Sequence, residues 1–86
     1  MVNNINQQVI DFTAVYTSHS PGDIKDSTTL ASIGIVTGDD RAEYMYELED
    51  NFGLTYEPGD ENGIETVGNA VVFITNKLGR GPNPRE

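Results

Sequence analysis

The sequence predicts a small all-α protein with a single hydrophobic core. Two segments repeat apolar residues every three or four positions, as amphipathic helices do, and a third does so with many β-branched residues. Segments rich in proline, glycine and hydroxyl side chains separate them. The chain has 86 residues, which is one domain with little room for an enclosed substrate pocket, so we do not expect an enzyme. The predicted architecture is three main helices plus one short or weak helix.

The first helix is predicted from about Asn4 to Tyr16. A single apolar stripe runs along it, formed by Ile5, Val9, Phe12 and Tyr16. The next segment, residues 18–30, contains proline, glycine and five hydroxyl side chains, which is typical of a loop. Ile24 and Leu30 are the loop residues that we expect to reach the core.

The second helix is predicted within IVTGDDRAEYMYELEDNFG, residues 35–53. Gly38 breaks the chain before it, and Asp39 or Asp40 is expected to cap its first turn. Gly53 follows the last apolar residue as a stop. Helical geometry places one set of side chains on the core side, namely Tyr44, Met45, Leu48 and Phe52. The opposite side, called the acidic face below, consists of Asp39, Glu43, Tyr46, Glu47 and Asp50.

The last part of the chain is less regular. Residues 55–65 contain one proline and two glycines, so a helix here would be short and weak. A final element begins after Thr66, a predicted N-cap, and its apolar stripe consists of Val67, Ala70, Val71, Ile74 and Leu78. Its β-branched residues leave both a helix and a buried strand open. We expect one domain over residues 1–79 and a flexible C-terminal tail over residues 80–86.

Negative charge is concentrated in one part of the chain. Residues 39–65 contain ten acidic residues and one basic residue, Arg41, which equals the net charge of −9 of the whole sequence. Such a field attracts basic protein surfaces and repels nucleic acids and anionic membranes. We therefore expect a protein partner, with no nucleic-acid or membrane binding. A solvated face that only confers solubility is the alternative.

Other classes of site lack the residues that they need. The sequence has no cysteine, one histidine, His19, and only short apolar runs, so we expect no disulfide, no metal site and no membrane span. The start of the sequence has neither the positive charge nor the apolar stretch of a secretion signal. A monomeric cytoplasmic protein is the expectation.

Three groups of residues follow one another in an order and spacing that is typical of a known family. Leu30 and Gly34 form the first group, and Thr66 and Val67, at the start of the last element, form the third. Between them, an acidic helix ends in a Leu-Glu-x-x-Phe-Gly pattern made by Leu48, Glu49, Phe52 and Gly53. In these features nearly the whole chain resembles the acyl carrier proteins. The resemblance implies that the last element is a helix.

The resemblance also implies a function without catalysis. Acyl carrier proteins are small helical bundles that hold 4′-phosphopantetheine on a serine at the start of the second helix. Synthases, ligases and transferases of fatty acid, polyketide or related biosynthesis dock on the acidic side of that helix through basic surfaces. The matching docking positions here are Asp40, Glu43, Glu49 and Asp50, and Tyr46 replaces an exposed apolar residue.

The attachment serine of the family is missing. Counting forward from Gly34 places it at Thr37, whereas counting backward from Phe52 places it at Gly38, so an insertion lies between them. Gly38 has no side chain to modify, and the hydroxyl of Thr37 is secondary. We therefore expect 4′-phosphopantetheine to be absent, and the protein to dock on a partner without carrying cargo. The alternatives are a carrier modified on Thr37 and an acidic helical module that resembles the family by convergence.

Overall fold

The computed structural model describes residues 4–80, in which three α-helices form a small bundle. Helix α1 spans Ile5–Thr17, α2 spans Gly38–Asn51 and α3 spans Val67–Arg80. Two short 3-10 turns, Pro21–Asp23 and Ala31–Ile33, lie between α1 and α2. The described residues form no strand, so the all-α prediction is confirmed. None of these helices has both the length and the apolar composition needed to cross a membrane.

Helix α1 begins and ends close to its predicted bounds. The Asn4 side chain caps it by accepting a hydrogen bond from the amide of Gln7 (3.2 Å), and Ser18 ends it in the left-handed conformation (φ 60°). Val9 and Ala14 pack into the core. The hydroxyl of Thr13 is also buried, and it lies 2.6 Å from the hydroxyl of Tyr44 in α2. This hydrogen bond joins the two helices through their interior.

Backbone hydrogen bonds join the segment between α1 and α2 to the start of α3. The amide of Leu30 donates to the carbonyl of Glu65 (2.9 Å), and that of Val67 donates to Thr28 (2.9 Å). The amide of Gly68 donates to the carbonyl of Asp26 (2.8 Å). We call this set of contacts the loop–α3 junction. Both predicted core anchors of this segment are confirmed, since Ile24 and Leu30 are 4% and 1% exposed.

The last element is a helix, which settles the choice that its β-branched residues left open. Its predicted N-cap is confirmed, because the Thr66 hydroxyl accepts a hydrogen bond from the amide of Asn69 (3.1 Å). The Asn69 side chain in turn accepts one from the Thr66 amide (3.0 Å). Its stripe fills the core with three completely buried residues, Val67, Ala70 and Ile74. Arg80, the first residue of the predicted tail, belongs to α3, and residues 81–86 lie outside the described part.

Turns replace a short helix between α2 and α3. Residues 58–63 form hydrogen-bonded turns, such as the one from the amide of Asp60 to the carbonyl of Glu57 (2.9 Å). Gly59 and Gly63 have φ values of 102° and 81°, which glycine adopts without strain and other residues rarely do. The weak helix expected here is therefore no more than this series of turns.

Candidate docking site on the second helix

Helix α2 begins with a capping box at Thr37. The Thr37 hydroxyl accepts a hydrogen bond from the amide of Asp40 (3.0 Å), and the Asp40 carboxylate accepts one from the amide of Thr37 (3.1 Å). The amide of Val36 donates to the same carboxylate (3.2 Å). The hydrogen bonds from these two amides lower the pKa of Asp40, and the one from Thr37 has the larger effect. The expectation that Asp39 or Asp40 is the N-cap is thus wrong. The cap is Thr37, and Asp40 supports it from inside the helix.

Gly38, the other position equivalent to the attachment serine, is the first residue of α2. A Cβ atom there would meet only the Arg41 side chain, with Nη2 at 3.9 Å, which is ordinary van der Waals contact. Arg41 donates from Nη1 to the carbonyl of Val36 (3.0 Å) and forms no ion pair within the described residues. A larger side chain therefore fits at Gly38, beside a guanidinium group.

The acidic face points away from the core along the middle of α2. Every residue of this face is exposed: Asp39, Glu43, Tyr46, Glu47 and Asp50. On the other side, Tyr44, Met45 and Leu48 are completely buried, as the sequence predicts. The acidic carboxylates have no cationic partner, because both ion pairs within the described residues belong to Lys77. A partner surface can therefore reach four uncompensated negative charges on one side of the helix.

Glu49 does not belong to this exposed surface, in contrast to its predicted docking position. It is 0% exposed, and Lys77 of α3 reaches it with Nζ 2.5 Å from Oε1. The same Nζ lies 2.8 Å from the Asp60 carboxylate and donates to the carbonyl of Thr55 (2.8 Å). We correct the docking surface by removing Glu49, because a buried carboxylate that is already paired cannot contact a partner.

The three charged groups of this cluster differ in the direction of their pKa shifts. Burial raises the pKa of Glu49 to about 7, and the hydrogen bond from Lys77 offsets only part of this effect. Burial also opposes the charges of Asp60 and Lys77, but their hydrogen bonds outweigh it, lowering the pKa of Asp60 and raising that of Lys77. Glu49 is consequently the member of the cluster whose charge changes near neutral pH.

A second aromatic ring accompanies Tyr46, which is 55% exposed. The ring of Tyr56 meets it edge to face, with centroids 6.1 Å apart. The Tyr56 hydroxyl donates to Glu61 (2.5 Å), which also accepts a hydrogen bond from the amide of Gly59 (3.1 Å). Tyr56 is a site residue that the sequence analysis missed. Helical periodicity could not find it, because it lies in the irregular segment after α2.

A cavity of about 270 Å³ lies near the start of α2. Its lining consists of Thr29, Leu30, Ala31, Ile35, Arg41 and Glu65. Pockets that enclose drug-sized ligands usually measure about 300–1,000 Å³, so this one lies just below that range. Elsewhere in residues 4–79, no three side chains of metal-binding type come together.

Comparison with known proteins adds no relative to this description. No family model matches the sequence, and no curated protein or solved structure is significantly similar to it. The geometry of α2 and the residues at its start are therefore the features that indicate a function.

Proposed function

We propose that this protein is an acyl carrier protein homologue that docks on a basic partner surface and carries no cargo. The acidic face of α2 is the contact, and the partner is a synthase, ligase or transferase of an acyl or related biosynthetic pathway. The main support is that the exposed acidic residues and Tyr46 lie together on the side of α2 opposite to the core, and the acids have no ion-pair partner among the described residues.

The capping box weighs against a carrier that is modified on Thr37. In such a carrier, a phosphodiester would replace the hydroxyl that accepts the hydrogen bond of Asp40. It would also place negative charge beside the Asp40 carboxylate, which lies 3.1 Å from the amide of Thr37. Attachment would therefore disturb the first turn of α2, which a serine on the first residue of the helix would leave intact. Thr37 serves the helix better as its cap.

The cavity near the start of α2, about 270 Å³, offers limited room for an acyl chain. Arg41 and Glu65 give its lining two charged side chains, and a hydrocarbon chain gains little from contact with either. Docking needs no such cavity, because the acidic face is an open surface.

Modification by a broad-specificity phosphopantetheinyl transferase tests the proposal. We expect the unaltered protein to gain no mass when it is incubated with the transferase and coenzyme A. Gly38→Ser, alone and combined with Thr37→Asp and Asp39→Leu to restore Asp-Ser-Leu, should gain 4′-phosphopantetheine, since the position accepts a side chain. Mass spectrometry distinguishes the outcomes. Modification of the unaltered protein that disappears in Thr37→Ala would support the carrier alternative instead.

Charge reversal in the restored protein tests whether the acidic face is the docking surface. Adding Glu43→Lys and Glu47→Lys should slow modification about tenfold or more at low salt, because the transferase approaches through basic residues. The matched control is Asp11→Lys with Asp23→Lys, two exposed residues outside α2 that change the net charge equally. Equal rates in both variants would contradict docking through this face. A restored motif that is never modified would favour a convergent acidic module.

A further inference from the structure

The buried carboxyl group of Glu49 has one oxygen without a partner. Oε1 accepts the hydrogen bond of Lys77, whereas Oε2 is buried and has no hydrogen-bond partner within the described residues. A buried carboxylate normally has hydrogen bonds to both oxygens, because an unsatisfied charged acceptor is costly. The geometry alone thus indicates that a permanent negative charge on Glu49 is energetically unfavourable.

The charges around Glu49 do not balance when all groups are ionised. One ammonium group, that of Lys77, is shared between Glu49 and Asp60, which leaves a net charge of one unit in a buried place. A proton on Glu49 removes this excess negative charge, and the charge of Lys77 is then balanced by Asp60 alone. Repulsion from the nearby Asp60 carboxylate also favours the protonated form of Glu49. Two arrangements of the cluster are therefore available, and one proton separates them.

The three parts of the molecule that surround Glu49 differ in how firmly they are held. Helices α2 and α3 are fixed by completely buried residues next to the cluster, Leu48 and Ile74. The third part, residues 54–63, contributes the carbonyl of Thr55 and the carboxylate of Asp60 but has turns in place of a helix. No residue of this segment is fully buried, so it is the part that water entering to solvate Glu49 displaces most readily.

We propose that Glu49 is a proton-operated switch for residues 54–63. When Glu49 is protonated, Lys77 holds the segment against α2 and α3 through Asp60 and Thr55. When Glu49 is ionised, its unsatisfied oxygen draws in water and the segment opens more often. The segment carries Tyr56, so opening also removes the ring that packs against Tyr46. The switch does not depend on the proposed docking function.

The direction of the pH effect follows from the groups that face Glu49. These are Lys77 from α3 and Asp60 from the segment. This pKa is about 7 in the folded protein, compared with an ordinary value of 4.5. Between these two pH values the folded protein keeps a proton on Glu49 that the opened form loses. The closed form is therefore most stable relative to the opened form in acid, and this stability decreases as pH rises through this range. Asp60 and Lys77 stay charged throughout.

Amide hydrogen exchange tests the switch in the complete protein. The probes are amides that are hydrogen-bonded in or beside the segment, those of Leu54, Asp60 and Ile64. After correction for intrinsic exchange, we expect opening to increase about 30-fold from about pH 5.5 to about pH 8, if opening returns Glu49 to its ordinary pKa. The carboxyl carbon of Glu49, followed by NMR in the unaltered protein, should titrate near pH 7.

Three variants separate Glu49 from other causes of pH dependence. Glu49→Gln should abolish the increase, whereas Glu47→Gln, an exposed neighbour on the same helix, should retain it. His19→Gln should also retain it, which excludes the single histidine of the sequence as the cause. An increase in Glu49→Gln equal to that of the unaltered protein would overturn the proposal. So would a Glu49 carboxyl that titrates near its ordinary value, and this measurement decides the matter even if Glu49→Gln does not fold.

Discussion

Glu49 and Tyr46 lie one turn apart on α2, yet the carboxyl group is buried and the aromatic ring is exposed. The helical positions explain both. Position 49 borders the core stripe beside Met45, and position 46 lies on the acidic face. Periodicity could predict the exposure of Tyr46, but the burial of Glu49 depends on Lys77, which α3 brings from 28 residues away. The feature of the sequence that indicates this burial is Lys77, which interrupts the apolar stripe of α3 between Ile74 and Leu78.

The buried hydrogen bond between Thr13 and Tyr44 leads to a prediction for single residues. Tyr44→Phe and Thr13→Val should each lower the free energy of unfolding by about 1–3 kcal/mol, because each leaves a buried hydroxyl without its partner. The double variant should lose less than the sum of the two, because it leaves no orphaned hydroxyl. Urea denaturation of the four proteins measures this coupling. Strict additivity would show that the two hydroxyl groups do not interact in solution.

At the scale of elements, the ends of the helices were harder to predict than the helices themselves. Thr-Gly-Asp-Asp offers three capping side chains within four positions, so composition could not choose among them. The spacing from Thr37 to Asp40 was the informative feature, because a capping box pairs the cap with the third residue of the helix. In α3, local propensity favoured a strand as much as a helix. The burial of Val67, Ala70 and Ile74 on one helical stripe outweighed it.

The cap of α2 gives a prediction for this element. Thr37→Ala should lower the free energy of unfolding by about 1 kcal/mol, since the amide of Asp40 loses its acceptor. Thr37→Ser is the matched control and should keep most of the stability, because it retains the hydroxyl group. Chemical denaturation followed by circular dichroism measures both. If alanine and serine are equivalent here, the capping box does not stabilise α2.

For the whole molecule, the most informative contact is the loop–α3 junction, which the sequence did not reveal. The sequence predicted that Leu30 reaches the core from the loop and that Val67 lies on a buried helical stripe, and both are buried. It could not predict that the backbones around them bond to each other, because hydrogen bonds between distant main-chain groups leave no pattern in side-chain type. The acyl-carrier-like identity likewise stays a proposal, which rests on residue order and on the acidic face.

Two glycines of α3 test the junction. A Cβ atom on Gly68 would lie 3.0 Å from the carbonyl oxygen of Asp26, a backbone atom, so Gly68→Ala should displace the loop and destabilise the protein by about 1–3 kcal/mol. Gly79→Ala is the control in the same helix, where a Cβ meets nothing. It should stabilise by up to about 1 kcal/mol through helix propensity. Thermal and urea denaturation compare them, and two stabilising substitutions would contradict the close packing at Gly68.

The junction also determines how the chain loses entropy on folding. Its hydrogen bonds join residues 26–30 to residues 65–68, so α2 lies entirely within a closed loop of the chain. Closing a loop of this length costs about 3 kcal/mol in conformational entropy. The hydrogen bonds of the junction and the core contacts of Leu30 and Val67 offset this cost. Once the loop is closed, the unfolded alternatives of α2 are fewer, as they would be inside a covalent cross-link. The outer side of α2 can therefore be rich in charged residues, because the junction at its two flanks and the buried residues on its inner side hold the helix in place.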